Sequence, residues 1–467
     1  MVKGIIALMF ILFCLSGMAQ VEHYDTLTYN DYINASWKEL IVHGKEAEAA
    51  NALSAYGEKR MGYAHYMLGN YFASINYYNT ILGKDSSDVD ALTMLNLNYY
   101  NLGNTTQMKR IQGLMSADLK KYLLLPETRI IESAYVEGGT SFTDNYNNDK
   151  AHLYGPTHFY GSQKLMGNIN NGLLGLNVNL SSVFSIYAAY KSAVINNEQR
   201  VAATVEPKSN AGGILPKIGP DTSVSAAFQT KQSQFYINGT IAFKNGSVTP
   251  FFHYISGSGD AIVTTYQDLR YQKTLPNSNP PDTFIRSFSF LKLSGTVTNF
   301  IAGVSLKKQV SHVALEGNIS ISNFASMKQL QAGASLAYYP FGDTRFSITP
   351  QVKYLTDSLN GDLISQLNIT AKLHRYCWLT LYGSHGDLEH SNEQNGTVFF
   401  NNSDITNNRL GATLFCPISK VFHVYFDYQY QDSQSWFYTC NGLADTGHLV
   451  FTNYKNNYIT LGLKINL

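Results

Sequence analysis

Tyr458-Ile459-Thr460-Leu461-Gly462-Leu463-Lys464-Ile465-Asn466-Leu467 is the stretch whose reading decides the fold. Side chains alternate across an extended strand, so Ile459, Leu461, Leu463, Ile465 and Leu467 share one face. Thr460, Gly462, Lys464 and Asn466 share the other. The design recurs upstream. Leu363, Leu367, Ile369, Ala371 and Leu373 oppose Gln366, Asn368, Thr370 and Lys372; Phe422, Val424, Phe426, Tyr428 and Tyr430 oppose His423, Asp427, Gln429 and Gln431; Val313, Leu315, Ile319 and Ile321 oppose Glu316, Asn318, Ser320 and Ser322.

A soluble sandwich alternates in the same way, so three further features decide. The alternating runs last about 10–14 residues, enough to cross a membrane and above the ~5–6 of an ordinary soluble strand. Aromatics gather at strand ends, at Tyr338-Tyr339, Tyr354, Tyr428, Tyr430 and Tyr458, where an interfacial girdle would lie. The connections alternate short and long. Short ones are Lys244-Asn245-Gly246, Pro340 to Asp343, His374-Arg375-Tyr376 and Pro417 to Lys420; long ones cover 197–230, 257–294, 387–405 and 433–455. Tight turns on one side and long loops on the other are expected of an antiparallel transmembrane barrel. A chain that enters and leaves on the same side needs an even strand number. That parity places 152–166, with its Gly155-Pro156 and His158, in an outer loop. It leaves fourteen strands, with twelve and sixteen as alternatives, and all long loops outside.

Composition agrees with this reading. The 467 residues include only 14% charged and 13% aromatic side chains, with 33 Tyr and 25 Phe. Mean hydropathy is −0.15, which suits a barrel because only every second strand residue faces lipid. Net charge is +1, which argues against a nucleic-acid partner, since that needs a basic face. At the N-terminus, Lys3, the apolar run Ile5 to Leu15 and the small-x-small Gly17-Met18-Ala19 read as a secretory signal cut after Ala19. Phe13 before Cys14 is unlike a lipidation site. Cys377, Cys416 and Cys440 are odd in number and lack C-x-x-C spacing. Cys377 and Cys416 could pair in an oxidising compartment, but small apolar strand residues is the favoured reading.

Residues before the strands have a different period. About Thr28 to Leu125 read as helices, closed by Pro126. The domains expected are therefore a signal at 1–19, a helical periplasmic part at 20–126 and a barrel at 127–467, an α+β multidomain chain. Tyr66-Met67-Leu68-Gly69-Asn70 returns as Tyr100-Asn101-Leu102-Gly103-Asn104, 34 residues on. Gly69 and Gly103 serve the tight turn between two helices. Ser74, Tyr78, Ile81 and Leu82 then supply the small, aromatic and apolar positions of a second helix. This resembles a tetratricopeptide repeat, with one good copy, one degenerate copy and a helical pair ahead of them. Helical repeats before a terminal barrel look like the YaiO-type outer-membrane β-barrel proteins, and like the outer-membrane exporters of secreted polysaccharide. Thr460, Gly462, Ile465 and Leu467 resemble the β-signal read by the barrel assembly machinery. The resemblance implies outer-membrane lipid and that machinery as partners. It also implies an unidentified periplasmic protein or polymer, bound through residues 30–125.

Catalytic motifs are missing: no G-x-x-x-x-G-K-[ST], H-E-x-x-H or G-x-S-x-G occurs. Glu389-His390-Ser391-Asn392 is the one candidate. Adjacent His and Ser point apart in a strand, so this stretch reads as a polar surface loop. No enzyme, cofactor or metal is expected. Glu316, Lys372, Arg409, Asp427 and Lys464 are the expected lumen charges, lining a pore or forming a plug. The function expected is transport or secretion of a polymer or solute. A closed-barrel scaffold or surface-binding protein is the alternative, and a barrel-wall hydrolase comes last.

Overall fold

The fold is that of a computed structural model that describes residues 20–126, 129–144, 160–203, 207–209, 222–271, 283–356, 361–401, 404–440 and 447–467. The stretch read as a signal, 1–19, and the one read as an outer loop around Gly155-Pro156 lie outside the described residues.

Among the described residues seven helices come first: α1 (20–33), α2 (Trp37–Ala49), α3 (Ala55–Met67), α4 (Tyr71–Lys84), α5 (Val89–Asn101), α6 (Thr105–Leu114) and α7 (Ala117–Tyr122). The helix pairs recur at the expected period, since α3 and α5, and likewise α4 and α6, start 34 residues apart. Their caps recur as well. Ser54 and Asp88 accept the N–H of Gly57 and Ala91; Asn70 and Asn104 accept those of Ala73 and Gln107. Each side chain satisfies an N–H that has no partner inside its helix. Gly69 and Gly103 turn the chain at φ +76° and +65°, where a side chain is strained. Tyr78, Leu92, Leu95, Tyr99 and Ile111 form the shared core.

Fourteen long strands follow and close on themselves. They are β1 (Ile131–Thr143), β2 (Tyr160–Asn179), β3 (Phe184–Ala203), β4 (Thr222–Phe243), β5 (Gly246–Tyr271), β6 (Thr283–Val310), β7 (Val313–Ser322), β8 (Gln329–Tyr338), β9 (Phe346–Thr356), β10 (Gly361–His374), β11 (Cys377–His385), β12 (Ile405–Pro417), β13 (Phe422–Cys440) and β14 (His448–Asn466). Each pairs antiparallel with its sequence neighbours, and β14 returns to β1 in the register Glu137↔Gly462 and Thr140↔Ile459. Within the belt, closure leaves no free sheet edge. The outward faces are apolar, with Leu461 58% and Leu363 66% exposed, whereas inward Asn456 and Lys353 are 0% and 2% exposed. No described helix is long and apolar enough to cross a membrane; the apolar belt is built by strands.

Three expectations need correction. Residues 160–166 belong to β2, so 152–166 is not wholly loop. Much of 197–230, 257–294 and 433–455 is also strand, because β3–β6, β13 and β14 continue beyond the belt. Away from lipid the ladder needs no apolar outer face, so the alternation fades while the hydrogen bonds persist. Val201, Phe228 and Ile262 give this extension a small core of its own. Third, Cys377 and Cys416 are bridged, Cα to Cα 4.4 Å, between β11 and β12. The register that sets Trp378 against Phe415 brings them face to face.

Two girdle tyrosines also point elsewhere. Tyr339 packs on Phe72 of α4, and Tyr458 lines the lumen. Tyr338, Tyr354 and Tyr428 do face outward.

The helices sit on the short-turn end of the barrel. Gln107 Nε2 donates to the Phe243 and Gly246 carbonyls, both at 2.8 Å, capping the β4–β5 turn. Asn79 and Tyr99 both reach Asn245 Oδ1, at 3.0 and 2.9 Å. Lys109 pairs with Glu132 at 2.6 Å, and the Phe72 N–H donates to the Gly342 carbonyl.

Candidate functional site

The connection from β11 to β12 does not stay on the surface. Segment 386–401 turns into the barrel and crosses the lumen, contrary to the surface loop expected there. A two-residue pair, Asn392-Glu393 with Val398-Phe399, holds its tip. Near its own strands, Glu393 takes Lys353 Nζ at 2.9 Å and Arg409 Nη2 at 2.6 Å. All three are nearly sealed from solvent, with side-chain exposures of 5%, 2% and 3%. The Arg409 guanidinium lies 5.3 Å from the ring centres of both Tyr382 and Phe400. Across the lumen, Tyr236 on β4 donates to the Asn395 carbonyl at 3.0 Å. His253 on β5 lies 2.7 Å from the Gly396 carbonyl through Nδ1, which must carry the proton. Asn401 reaches Asn299 on β6 at 3.1 Å. Phe399 stacks on Phe324, and Leu388 and Phe400 pack with Ile364.

Below this bridge the lumen is not filled. A cavity of about 630 Å³ remains, bounded by the segment and by inward side chains of β1–β4 and β10–β14. Tyrosines and carboxylates dominate its lower wall. Tyr135 and Tyr425 stack at 5.7 Å, and both hydroxyls donate to Glu137 Oε2, Tyr135 at 2.9 Å. Gly462 makes this geometry available, because a Cβ there would lie 2.0 Å from Tyr425 Cε1 and 2.6 Å from the Tyr135 hydroxyl. The glycine thus has a packing role that the terminal pattern alone did not show.

The expected lumen charges occupy different levels. Arg409 anchors the segment. Asp427 lines the cavity and accepts from Tyr382 at 3.2 Å and Thr413 at 2.5 Å. Glu316 takes the Ser305 hydroxyl at 2.9 Å. Lys372 lies over the Trp378 ring at 4.8 Å, and Lys464 pairs in register with His423. None of these last three lines the cavity. Thr460 faces the cavity and Gly462 its tyrosines, while Leu467 is half exposed. Sequence reading missed Glu393, Lys353, Glu137 and Lys191. The last three carried a signal, a charge on the polar face of an alternating run; Glu393 carried none.

Ser391 is fully buried, and its hydroxyl donates to the Leu388 carbonyl at 2.8 Å. His390 instead lies 3.5 Å from Glu389. The serine proton is directed away from the imidazole, so the stretch is not arranged as a nucleophile and base. Among the described residues no group of three or more metal-type ligands occurs.

A closed antiparallel wall with an apolar outer belt and a polar interior defines a membrane-spanning β-barrel. Solved structures similar to this chain include a Pseudomonas aeruginosa FadL homologue, at 10% identity over 72% of this chain and 90% of that one, TM-score 0.39. The P. putida toluene transporter TodX matches at 7% identity over 74% and 91%, TM-score 0.38. The Acinetobacter baumannii outer membrane protein Omp33 matches at 7% over 73% and 100%, TM-score 0.31. At these identities and TM-scores the likeness carries nothing about function. No family model and no curated protein matches the sequence.

Proposed function

We propose that the protein is an outer-membrane solute conduit, gated from within by segment 386–401 and covered at its periplasmic mouth by the helices. One observation carries this reading: the segment bridges the lumen but leaves a polar cavity of about 630 Å³ beneath it. A barrel serving only as an anchor has no need of a side-chain-lined space of solute size. The helical pairs, with their 34-residue period, act as a tetratricopeptide-like module that recruits a periplasmic protein or polymer on its open surface. The architecture suits a YaiO-type protein. Thr460, Gly462, Ile465 and Leu467 serve as the assembly signal, alongside the packing role of Gly462.

Planar-bilayer conductance tests the conduit. The full chain is expected to show small or intermittent currents, and a variant with 390–400 replaced by a short Gly-Ser link a steady larger one. Silence from both would favour a scaffold or surface-binding barrel. The buried Lys353–Glu393–Arg409 cluster is the specific observation on the side of that second reading.

A further inference from the structure

We propose that Lys191, with Asn171, Gln234 and Glu137, forms a binding site in the lumen for a small hydroxylated carboxylic acid. The inference rests on the conduit reading and adds the chemical class of the solute.

Lys191 sits on β3 in register with Leu173 and Gln234, and its side chain lines the cavity. Among the described residues it has no hydrogen bond and no carboxylate within 4.0 Å. Glu137 is in electrostatic contact with it but beyond ion-pair distance. One oxygen of that carboxylate, Oε2, is already taken by Tyr135 and Tyr425. The other cation lining the cavity, Arg409, is committed, because Glu393 holds it together with Lys353. Lys191 is thus a cation that faces an open space without a partner. An ammonium withdrawn from bulk water is costly to leave unpaired, and a bound anion supplies what is missing. One uncommitted cation matches a monoanion such as a carboxylate better than a phosphate dianion.

The neighbouring orphans specify the rest of the ligand. Asn171 Oδ1 and Gln234 Oε1 are buried acceptors without a donor. Gln234 is held in that orientation by its own Nε2 bond to Gln232 at 3.2 Å. A carboxylate offers no donor to these oxygens, whereas hydroxyl groups do. Glu137 Oε1 is a further acceptor on the same wall. A molecule with one carboxylate and several hydroxyls satisfies the cation and Glu137 Oε1, and meets the two buried amide oxygens once their side chains turn toward it; a cavity of about 630 Å³ admits one of sugar-acid size.

The test is calorimetric titration of the detergent-purified full chain with glucuronate and with glucose, which differ chiefly in the carboxylate. Binding of glucuronate at least ten-fold tighter than glucose is expected. Lys191→Met should remove that preference, and Lys191→Arg should keep it. The variant with the shortened segment is titrated in parallel, so that slow entry does not hide the site; heat-modifiable migration confirms that each variant is folded. Equal affinity for the two probes, an unchanged preference in Lys191→Met, or no binding to either barrel overturns the site. Conductance separates this result from the conduit reading. Currents without glucuronate binding sink the site alone, whereas binding without currents supports the site and sinks the conduit.

Discussion

The barrel is obstructed at two levels, and the two obstructions are built differently. The helices cover the short-turn mouth mostly through neutral hydrogen bonds to turn backbone and to Asn245; two lysines add charge, Lys109 to Glu132 and Asn179, and Lys244 to the Asn79 carbonyl. Segment 386–401 blocks the lumen through one carboxylate between two buried cations, with aromatic packing on either side. A neutral bond to a turn exchanges readily with water and is worth about 1 kcal/mol net. A buried charge cluster has no such fallback: once one member leaves, the others stay charged and dry. The outer closure therefore holds as a unit and opens as a unit, while the helical cap can loosen bond by bond.

Removing the shared carboxylate should give the largest effect. Glu393→Ala leaves Lys353 and Arg409 facing each other without an anion, a loss of about 3–5 kcal/mol for a broken buried pair. The segment should then leave the lumen. Protease should cut within 387–400 in the variant and not in the parent, and bilayer currents should rise. Unchanged protection would show that Phe399, Tyr236 and His253 hold the segment without the charges.

Cutting the cap bonds should do less. Gln107→Ala removes its two bonds to the β4–β5 turn, about 2 kcal/mol at roughly 1 kcal/mol for each. Hydrogen exchange in 71–114 should speed up while the barrel strands keep their protection. Loss of protection in β4 and β5 as well would mean that the helices brace the wall rather than rest on it.

The two closures also differed in how far the sequence disclosed them. Gly69 and Gly103 with their flanking residues announced the helical pairs, because turn and cap chemistry is local. The belt was equally plain: Leu363 to Leu373 and Phe422 to Tyr430 alternate because one face meets lipid. The extension above it was not, since beyond the belt β5 and β6 need only a hydrogen-bonded neighbour. The inward segment was the least legible. Glu389-His390-Ser391-Asn392 has the polarity of a surface loop, and the polar atoms of 392–401 find partners on β4–β9, which lie far away in sequence. Arg409 and Asp427 could be assigned to the lumen by strand parity, but Glu393 belongs to no strand of the wall and has no parity.

Acidity should drive the two closures in opposite directions, with the smallest of the expected effects. At the cap, burial, with the nearby charges of Lys45 and His312, holds His65 down to about 4, from 6.5. The unfolded or undocked imidazole then binds a proton first. Docking is fully supported above 6.5 and weakens as the pH falls toward 4. At the outer rim, burial, with Asp387, Asp404 and Asp362 close by, pushes the Glu389 carboxyl up to about 7, from 4.5. Here the folded form binds the proton first, so the inward segment is best held below 4.5 and loosens as the pH rises to 7. Lowering the pH from 7.5 to 5 should therefore speed hydrogen exchange in 55–84 and slow it in 386–401, once intrinsic rates are removed. His65→Gln and Glu389→Gln should each flatten one response and leave the other. If both segments moved together, a single global transition would replace two independent closures, and the contrast between a neutral cap and a charged plug would lose its meaning.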